Sequence, residues 1–567
     1  MDKRFFLALA LSVVVIFLTQ RLFPSPSVSK LLPPAKQDRN VDSIKSGLES
    51  SGQIPRQRRQ GPALELLETS VLQQTGKQTP FPETAGETVT ISTSKVRYQF
   101  SAIGAMPISA ALIEYRSLSQ KGRSVQLERP GQPLLYLAGF TGVDTLRLDR
   151  VAFTVDTVPG TGQGTGPLIF RGRVGGWDIA LTYSFAPDSY QVRVRLDAHS
   201  GSGEKLRKLG IMLPGGLRSE EADTLDDQRH LAYVAKPVKA GARSISFTKL
   251  DPHETLVEVG PLAWVASKNK YFLLAVLSPV PSANFESVIF TGGPRAGKMA
   301  INADAMITVP VQPDGGFAFE LYTGPQAWRR LTAVGRDLEH VNPYGGFLRG
   351  VVEPFASFVM WAVLGLHDRL RVSYGWVLVV FGVVVRLILW PLNQRAMRSN
   401  LKMQRVQPEL QEIQKRYAKQ PEKQHAEMMR VYKEHGMSPF SMFSGCLPML
   451  LPMPVLFALF FVFQNTIEFR GVSFLWLHDI SQKDPYYILP ALMGISMFFL
   501  SWIGMRNTPP NPQAKTMTYV FPVMMTAFFL NLASGLNLYY AVQNIAALPQ
   551  QWLIARERSR SSPSARK

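Results

Sequence analysis

One apolar stretch, residues 374–392, constrains this chain more than any other feature, because it contains a single charge, Arg386. A helix of about 20 apolar residues crosses the ~30 Å hydrocarbon layer of a bilayer. An arginine inside such a helix costs roughly 2.5–3.5 kcal/mol on insertion scales unless protein, water or a ligand compensates it. The stretch therefore predicts a transmembrane helix within residues 371–392. Two explanations of Arg386 stay open: a side chain that reaches up to the nearer membrane surface, or a functional cation in a wet cavity.

Composition supports a membrane part joined to a water-exposed part. The chain has 567 residues, of which 46% are hydrophobic, and a formal net charge of +20. Its single cysteine, Cys446, excludes a disulfide framework within the chain. The basic residues flank apolar runs, and no nucleic-acid recognition motif accompanies them, so membrane topology explains the charge better than nucleic acid does.

The N-terminal region predicts an anchor followed by a tether. Lys3 and Arg4 precede an apolar run that ends in Thr19, Gln20 and Arg21. A cleavable signal peptide would end in small residues, so residues 1–23 predict an uncleaved transmembrane signal anchor with its basic end in the cytoplasm. Residues 24–84 are rich in Pro, Ser, Gln and Arg without apolar periodicity and predict a disordered periplasmic linker.

In residues 85–340 the apolar residues recur with a period of two. Apolar residues alternate with small or polar ones at 177–185 and 190–196, and further strands are predicted around Val89, Val96, Leu146, Ile245, Leu273 and Phe317. Many short strands without an interleaved helical pattern indicate a large antiparallel β-sandwich, which faces outward if the anchor does. An amphipathic helix from Pro325 is predicted to end it. No metal-ligand spacing or catalytic constellation stands out.

Residues 341–370 predict an amphipathic helix that lies in the membrane interface. Only 13 uncharged residues separate Glu353 from His367, which is short for a span. The segment 393–442 carries ten Lys or Arg against five Glu, so the positive-inside tendency places it in the cytoplasm. It predicts a helical hairpin, bent at Pro408, with its second helix opening at Pro421.

Four more spans are predicted after the hairpin. Pro448, Pro452 and Pro454 are expected to kink the first of them. The fold class is therefore a membrane α-helical protein, with a signal anchor plus a five-helix core, a cytoplasmic helical hairpin and a large β-sandwich, and both termini are cytoplasmic. The predicted boundaries are a span at 443–465, a periplasmic loop at 466–486, a span at 487–503, a cytoplasmic loop at 504–515, spans at 516–532 and 536–554, and a basic cytoplasmic tail at 555–567.

Polar residues in the last span are candidates for a site. Tyr540, Gln543 and Asn544 lie well below its outer end, and Tyr540 and Asn544 share a helical face. Packing through interhelical hydrogen bonds is one explanation; the other is a hydrated cavity that Tyr540 and Asn544 line together with Arg386. No acidic residue occurs inside a core span. The counter-charge of Arg386 would then come from an anionic group of a visiting substrate.

The strings VVVRLILWPL, SGCLPMLLPMPVLFALFF and SGLNLYYAVQN, together with the order of segments, resemble the YidC family of membrane protein insertases, of the Gram-negative type with a large periplasmic domain. The resemblance implies an inner-membrane insertase and chaperone with a hydrophilic groove that is open to cytoplasm and lipid. It implies that Arg386 lies on the groove wall, that Tyr540 is a functional aromatic position, and that Met453 belongs to the substrate exit path. Many members of the family have a threonine at the position of Gly382, so the polarity of the groove is expected to differ here.

The function expected from these features is insertion without chemistry. No P-loop occurs in the sequence, and neither cofactor nor metal is expected. The expected partners are nascent membrane proteins, membrane lipids, subunits of the Sec translocon, and the ribosome and signal-recognition machinery through the basic hairpin and tail. Two alternatives stay open: a small-solute transporter, which would be expected to show inverted repeats, and an envelope-assembly scaffold whose β-sandwich binds a ligand.

Overall fold

The structure is a computed structural model that describes residues 87–142, 144–157, 166–279, 283–296, 299–300, 302–342, 349–418, 420–434, 453–505 and 512–561. The predicted anchor at 1–23 and the linker at 24–84 lie outside these residues. So do Pro448 and Pro452, two of the three prolines that are expected to kink a span.

The alternating sequence pattern forms strands whose buried residues face one core. In β9, Trp177–Phe185, every second residue from Trp177 to Phe185 is buried, and the residues between them are more exposed. This is the period expected of a strand that packs on one face only. The strands are β1 Thr88–Ser92, β2 Val96–Ser101, β3 Met106–Arg116, β4 Ser124–Gln126, β5 Tyr136–Phe140, β6 Thr145–Arg147, β7 Thr154–Thr157, β8 Leu168–Val174, β9 Trp177–Phe185, β10 Gln191–Ser200, β11 Lys208–Leu213, β12 Ala232–Pro237, β13 Arg243–Ser246, β14 Thr255–Lys268, β15 Phe272–Leu277, β16 Phe285–Gly292, β17 Arg295–Ala296, β18 Met299–Ala300, β19 Ala303–Pro310 and β20 Phe317–Pro325.

The strands build two principal antiparallel sheets. One has four strands in the order β1-β2-β3-β4. The other has 14 strands and runs β6-β5-β11-β19-β16-β14-β15-β20-β10-β9-β8-β7, with β12 paired to β14 and β13 paired to β12. The two sheets share a hydrophobic core, in which Phe100 of β2 lies 4.7 Å from Tyr183 of β9 and 6.1 Å from Phe170 of β8, measured between ring centroids. The predicted antiparallel β region is therefore confirmed.

The helices follow the β region, apart from one short helix inside it. Short 3₁₀ turns lie at Leu148–Arg150, Phe247–Lys249, Leu338–Val341 and Ile467–Phe469. The helices are α1 Thr224–Arg229, α2 Trp328–Val334, α3 Arg349–Leu370, α4 Tyr374–Arg416, α5 Pro421–Glu434, α6 Met453–Asn465, α7 Ile488–Met505, α8 Pro512–Phe529 and α9 Ser534–Ser561.

Three predicted elements need correction. The helix expected from Pro325 is present but shorter, because β20 continues to Pro325, the helix begins at Trp328, and it is broken at Gly335, whose φ is +78°. The span at 371–392 and the first helix of the hairpin are one helix, α4, which continues through Pro391 and Pro408. The last helix extends to Ser561 and includes residues that were assigned to the basic tail. In the last two cases the polarity of the sequence changes while the backbone hydrogen bonding continues.

The packing of the helices shows which of them run in the same direction. In α4 and α9, Gly382 contacts Gln543 and Trp390 contacts Gln550, so these helices run parallel. The carbonyl of Met493 in α7 accepts a hydrogen bond from Asn544 of α9, and Gly504 lies against Gln551. Helix α7 therefore runs in this direction too.

Helix α8 runs the opposite way. Its early residue Tyr519 packs against Phe498 of α7, whereas its late residue Thr526 lies against Gly494, which precedes Phe498. At the end of α8, Phe529 packs on Tyr540, near the start of α9. The β region contacts the end of the bundle at which α4, α7 and α9 begin, and we call this the outer end.

Among the described residues, one helix is both long enough and apolar enough for a complete span: Tyr374–Pro391, with a mean hydropathy of 1.9. Ile488–Gly504 and Thr518–Phe529 are shorter apolar helices. Beyond the span, the second half of α4 packs on α5 through a small cluster of Val406, Leu410, Val431 and Tyr432. This places the basic hairpin at the end of the bundle opposite to the β region.

The loop between α6 and α7 joins the helices to the β region. Ile467 in this loop belongs to the β-region core. Nε of Arg470 donates to both carboxylate oxygens of Glu221, at 2.8 and 3.0 Å, and the two side chains are 5% and 7% exposed. The Arg470 guanidinium also donates to the carbonyl of Arg116 and lies 5.3 Å from the ring centroid of Phe272.

Candidate functional site

The outer half of the bundle is filled by packed apolar and aromatic side chains. Phe463 of α6 stacks on Phe469 at 5.2 Å, and Tyr539 of α9 lies 5.8 Å from Phe381 of α4 and 6.2 Å from Phe463. All of these residues are buried. At the outermost level, the amide of Ser534 donates to the carbonyl of Gln482 in the α6–α7 loop. Packing of this kind leaves little room for water at the outer end.

The polar contacts between α4 and α9 begin at Gly382, the residue that follows Phe381. Nε2 of Gln543 donates to the carbonyl of Gly382 at 2.8 Å and to the Tyr539 hydroxyl at 3.1 Å. A Cβ at position 382 would lie 3.1 Å from Cγ1 of Val542, so glycine allows the two helices to approach closely here. Gln543 therefore supplies the polar group at a level where α4 has no polar side chain.

Arg386 lies one further turn along α4, and its partner is Gln550. Nη2 of Arg386 donates to Oε1 of Gln550 at 2.7 Å, and Nε2 of Gln550 donates to the carbonyl of Trp390 at 3.1 Å. Gln550 is 1% exposed, whereas Arg386 is half-buried. Nε of Arg386 is buried and has no hydrogen-bond partner within the described part of the chain. The guanidinium is thus oriented by a neutral amide and still has donors to offer.

Tyr540 and Asn544 are directed to other helices. The ring of Tyr540 packs edge-on against Phe529 and Tyr539, each at 5.3 Å, and its hydroxyl is buried without a partner among the described residues. Nδ2 of Asn544 lies 3.3 Å from Oγ of Ser496 and 3.4 Å from the carbonyl of Met493, both in α7. No described contact joins Arg386 to either residue. Met453 begins α6, but its side chain lies outside the described side chains.

The residue that sequence reasoning missed is Gln550. It lies seven residues after Gln543 on the same helix, so the two amides share a face. A second amide at this spacing within the predicted span 536–554 was the available signal. Together, Gln543 and Gln550 line the α4 side of α9 and define one polar stripe that ends at Arg386.

The matched family models cover most of the chain. The model described as 60Kd inner membrane protein matches residues 365–561, and the model described as YidC periplasmic domain matches residues 88–358. The membrane protein insertase YidC of Prosthecochloris aestuarii is 32% identical over 398 residues, which is 66% of each chain. The protein of the same name from Chlorobium phaeovibrioides is 33% identical over 395 residues, again 66% of each. The aligned part is thus just under two thirds of the length of these relatives.

Among solved structures, the chain is similar to an active YidC insertase crystal structure with the first transmembrane domain resolved. The identity is 17% and the TM-score is 0.32, over 86% of this chain and 99% of the other. The two adjoining family models cover the β region and the helices, one each. The chain belongs to the YidC family of inner membrane proteins.

Proposed function

We propose that this chain is a membrane protein insertase and chaperone that inserts and helps to fold nascent inner-membrane proteins. It would act through a hydrophilic groove that opens to the cytoplasm and to lipid. The relatives named membrane protein insertase YidC support this proposal. No nucleotide, metal or covalent step is part of it.

The observation that carries the proposal is the environment of Arg386. Its guanidinium is half-buried in the one helix of the described chain that meets the criteria for a complete span. It is held by the neutral Gln550, and no described carboxylate pairs with it. A cation at this depth without a resident counter-ion favours an anionic visitor. An acidic or polar tail of a nascent protein is such a visitor.

The asymmetry of the bundle supports access from one side. The aromatic layer of Phe381, Phe463 and Tyr539 lies between the outer end and the polar stripe, whereas Gln543, Arg386 and Gln550 follow it toward the basic end. A transporter requires a site that opens alternately to both sides. An insertase groove receives a tail from the cytoplasm and releases an apolar segment sideways into lipid. Such a groove needs no opening at the outer end.

The proposed topology makes α4 and α6 to α9 the five core spans and residues 1–23 a sixth. Both termini and the α4–α5 hairpin would then be cytoplasmic, and the β region periplasmic. The opposite directions of α7 and α8 support this topology, as does the position of the hairpin at the far end from the β region. Helix α3 would lie in the interface: Val352, Ala356 and Val363 are buried against the bundle, whereas Phe358 and Trp361 are exposed.

Insertion would proceed by partition rather than by force. The tail of the substrate enters the polar stripe, which lowers the cost of taking its charge out of water. Its apolar segment then moves into lipid, where burial at ~25 cal/mol per Å² over a whole span supplies the driving force. Tyr540, Asn544 and Met453 are proposed to line the path of the substrate. The Sec translocon, the ribosome and the signal-recognition machinery are proposed partners.

The experiment that tests the function is reconstitution of the full-length protein in liposomes. A one-span substrate is added, and insertion is read from its protection against protease. We expect more protease-protected substrate in liposomes that contain the protein than in empty liposomes. Equal protection in both would reject the proposal.

Arg386→Ala tests the proposed role of the cation. We expect the variant to insert a substrate with an acidic tail at least about fivefold less well, which corresponds to roughly 1 kcal/mol, and a substrate with a neutral tail almost normally. Arg386→Lys keeps the charge and is the matched control. Arg386→Ala could instead reduce the insertion of both substrates equally. The arginine would then contribute to packing or extend to the membrane surface, and it would not recognise the substrate tail.

A further inference from the structure

A cavity of about 470 Å³ lies between α7 and α9, on the outside of the bundle. We call it the α7–α9 crevice, and it is lined by Phe499, Ile503, Ile545, Leu548, Pro549 and Trp552. Phe499, Ile545 and Trp552 are 46%, 45% and 50% exposed. Because all six lining residues are apolar, the crevice fits an apolar occupant.

One end of the crevice carries a positive charge. Arg556 follows Trp552 by one helical turn, and the centre of its guanidinium lies 5.4 Å from the centroid of the Trp552 ring. The sequence continues with Glu557, Arg558 and Arg560, so three of the four charges here are positive. Tryptophan is enriched where a membrane meets water, with its ring at the level of the headgroups. A guanidinium has five N–H donors in a geometry that suits a phosphate.

The size and the lining of the crevice select among possible occupants. A water-soluble ligand would need polar groups, and the six lining residues offer only the indole N–H of Trp552. On α9 the lining extends only from Ile545 to Trp552, about two helical turns, whereas a transmembrane helix would lie along a whole span. An acyl chain is only one methylene wide and can fill an irregular apolar crevice. Its phosphate headgroup would lie at the basic end.

We propose that the α7–α9 crevice binds one anionic phospholipid, with an acyl chain along Phe499, Ile545 and Leu548 and its phosphate at Arg556. This inference rests on the membrane placement proposed above, but not on insertion activity. The bound lipid would fill the gap between α7 and α9 at the end that carries the basic tail. Basic pockets between membrane helices on the cytoplasmic side commonly hold anionic lipids.

The test is native mass spectrometry of the full-length protein, purified in detergent and titrated with phosphatidylglycerol or phosphatidylcholine. We expect one tightly bound phosphatidylglycerol and about fivefold weaker phosphatidylcholine, since one arginine near the membrane surface contributes about 1 kcal/mol. Arg556→Gln should remove this preference, and Ile545→Trp, which fills the crevice, should weaken both lipids. Arg369→Gln and Val523→Trp change an exposed arginine and an exposed apolar residue elsewhere and should alter neither.

Several outcomes would overturn the proposal. They are equal retention of the two lipids by the unaltered protein, an unchanged preference in Arg556→Gln, or displacement of the lipid by inorganic phosphate alone. Photocrosslinking from position 548 to a substrate span, with no crosslink to lipid, would assign the crevice to substrate instead. Because lipid retention is read without insertion, an inactive protein that keeps its lipid would reject the proposed function and leave this inference standing.

Discussion

The guanidinium of Arg386 and the carboxamide of Gln550 form one unit rather than two independent polar side chains. Oε1 of Gln550 accepts from Arg386 while Nε2 donates to the carbonyl of Trp390, so the orientation of the amide is fixed from both ends. A buried donor that loses such a partner costs about 1–3 kcal/mol. Gln550 is therefore expected to determine where the charge of Arg386 points.

Substitutions at Gln550 separate the effect of the orientation of the Arg386 guanidinium from the effect of its charge. Gln550→Leu should lower the midpoint of thermal unfolding in detergent and reduce insertion of an acid-tailed substrate by about fivefold, roughly 1 kcal/mol. Gln550→Glu keeps the length and the acceptor for Arg386 but loses the donor to the carbonyl of Trp390. Because the new carboxylate pairs with Arg386, we expect a smaller loss of stability than in Gln550→Leu. The variant also places a resident carboxylate on Arg386, so the preference for acidic tails should disappear. If Gln550→Glu kept that preference, the guanidinium would not be the group that recognises the tail.

His230 gives the β region an acid-sensitive group. Burial, and then the charge of Lys268, lower the pKa of His230 from 6.5 to about 4. Between these values the unfolded chain binds a proton that the folded chain does not. The contribution of His230 to stability is therefore complete above pH 6.5 and is lost as the pH falls toward 4.

His230→Asn should make the protein less sensitive to acid. Asn cannot titrate but can still donate to the carbonyl of Asp226, which His230 contacts through Nδ1 at 2.8 Å. We expect the free energy of unfolding to fall by about 2–3 kcal/mol less between pH 6.5 and 4 than in the unaltered protein. The exposed His199→Asn is the control. Identical pH profiles for all three proteins would show that His230 titrates alike in the folded and unfolded chain.

At the scale of elements, α7 and α8 depend on a close approach at Gly494. A Cβ at this position would lie 1.9 Å from Oγ1 of Thr526, and this hydroxyl already donates to the carbonyl of Pro522 at 2.8 Å. The threonine cannot turn away without losing that bond. Glycine at 494 is therefore what lets the two helices pack side by side.

Gly494→Ala should destabilise the helical part by about 1–3 kcal/mol, the usual cost of overpacking. Thermal unfolding in detergent measures it. Gly365→Ala in α3 is the matched control, because no atom lies within 4 Å of the added methyl group, and it should be neutral or slightly stabilising. Thr526→Ala, combined with Gly494→Ala, should restore part of the loss. A Gly494→Ala protein as stable as the control would mean that the helices are further apart than described.

The elements that could be predicted are those whose sequence pattern matches their own backbone period. The alternation in β9 predicted a strand, and Pro421 predicted the start of α5. Helix α4 could not be predicted as one element. Its first half is apolar and its second half is basic, so the change in composition indicated two elements although the backbone is continuous. The break after α2 depends on the left-handed φ of Gly335, which no periodicity reveals.

At the scale of the whole molecule, pairings between distant segments could not be predicted. Strand β14 pairs with β12, β15 and β16, and nothing in its own residues selects these neighbours. The contacts within the candidate site could not be predicted for the same reason. Arg386 stood out because a charge in an apolar run is costly, whereas Gln550 is 164 residues away and becomes its partner only when α4 and α9 pack in parallel. The contact between Arg470 and Glu221 spans 249 residues and was equally hidden.

Arg470 and Glu221 link the two parts of the molecule. Both side chains are more than nine-tenths buried, and Arg470 also donates to the carbonyl of Arg116 in β3. Removing one partner of a buried pair leaves an uncompensated group and costs about 3–5 kcal/mol. A second pair, Arg329 with Asp368, connects α2 to α3, but both of its side chains are 51% exposed. Exposed pairs contribute only about 0–1 kcal/mol.

Double-mutant cycles on the two pairs test whether the buried contact holds the β region on the helices. For Arg470→Met and Glu221→Gln we expect a coupling energy of at least about 2 kcal/mol in thermal or denaturant unfolding, because Arg470→Met leaves the Glu221 carboxylate buried without a cation and Glu221→Gln removes the charge that Arg470 pairs with. The same cycle with Arg329→Met and Asp368→Asn should give less than about 1 kcal/mol. Limited proteolysis should release the β region faster from either single variant of the buried pair than from either variant of the exposed pair. Equal, small couplings at both pairs would mean that apolar packing around Ile467 holds the two parts together and that the buried ion pair adds little.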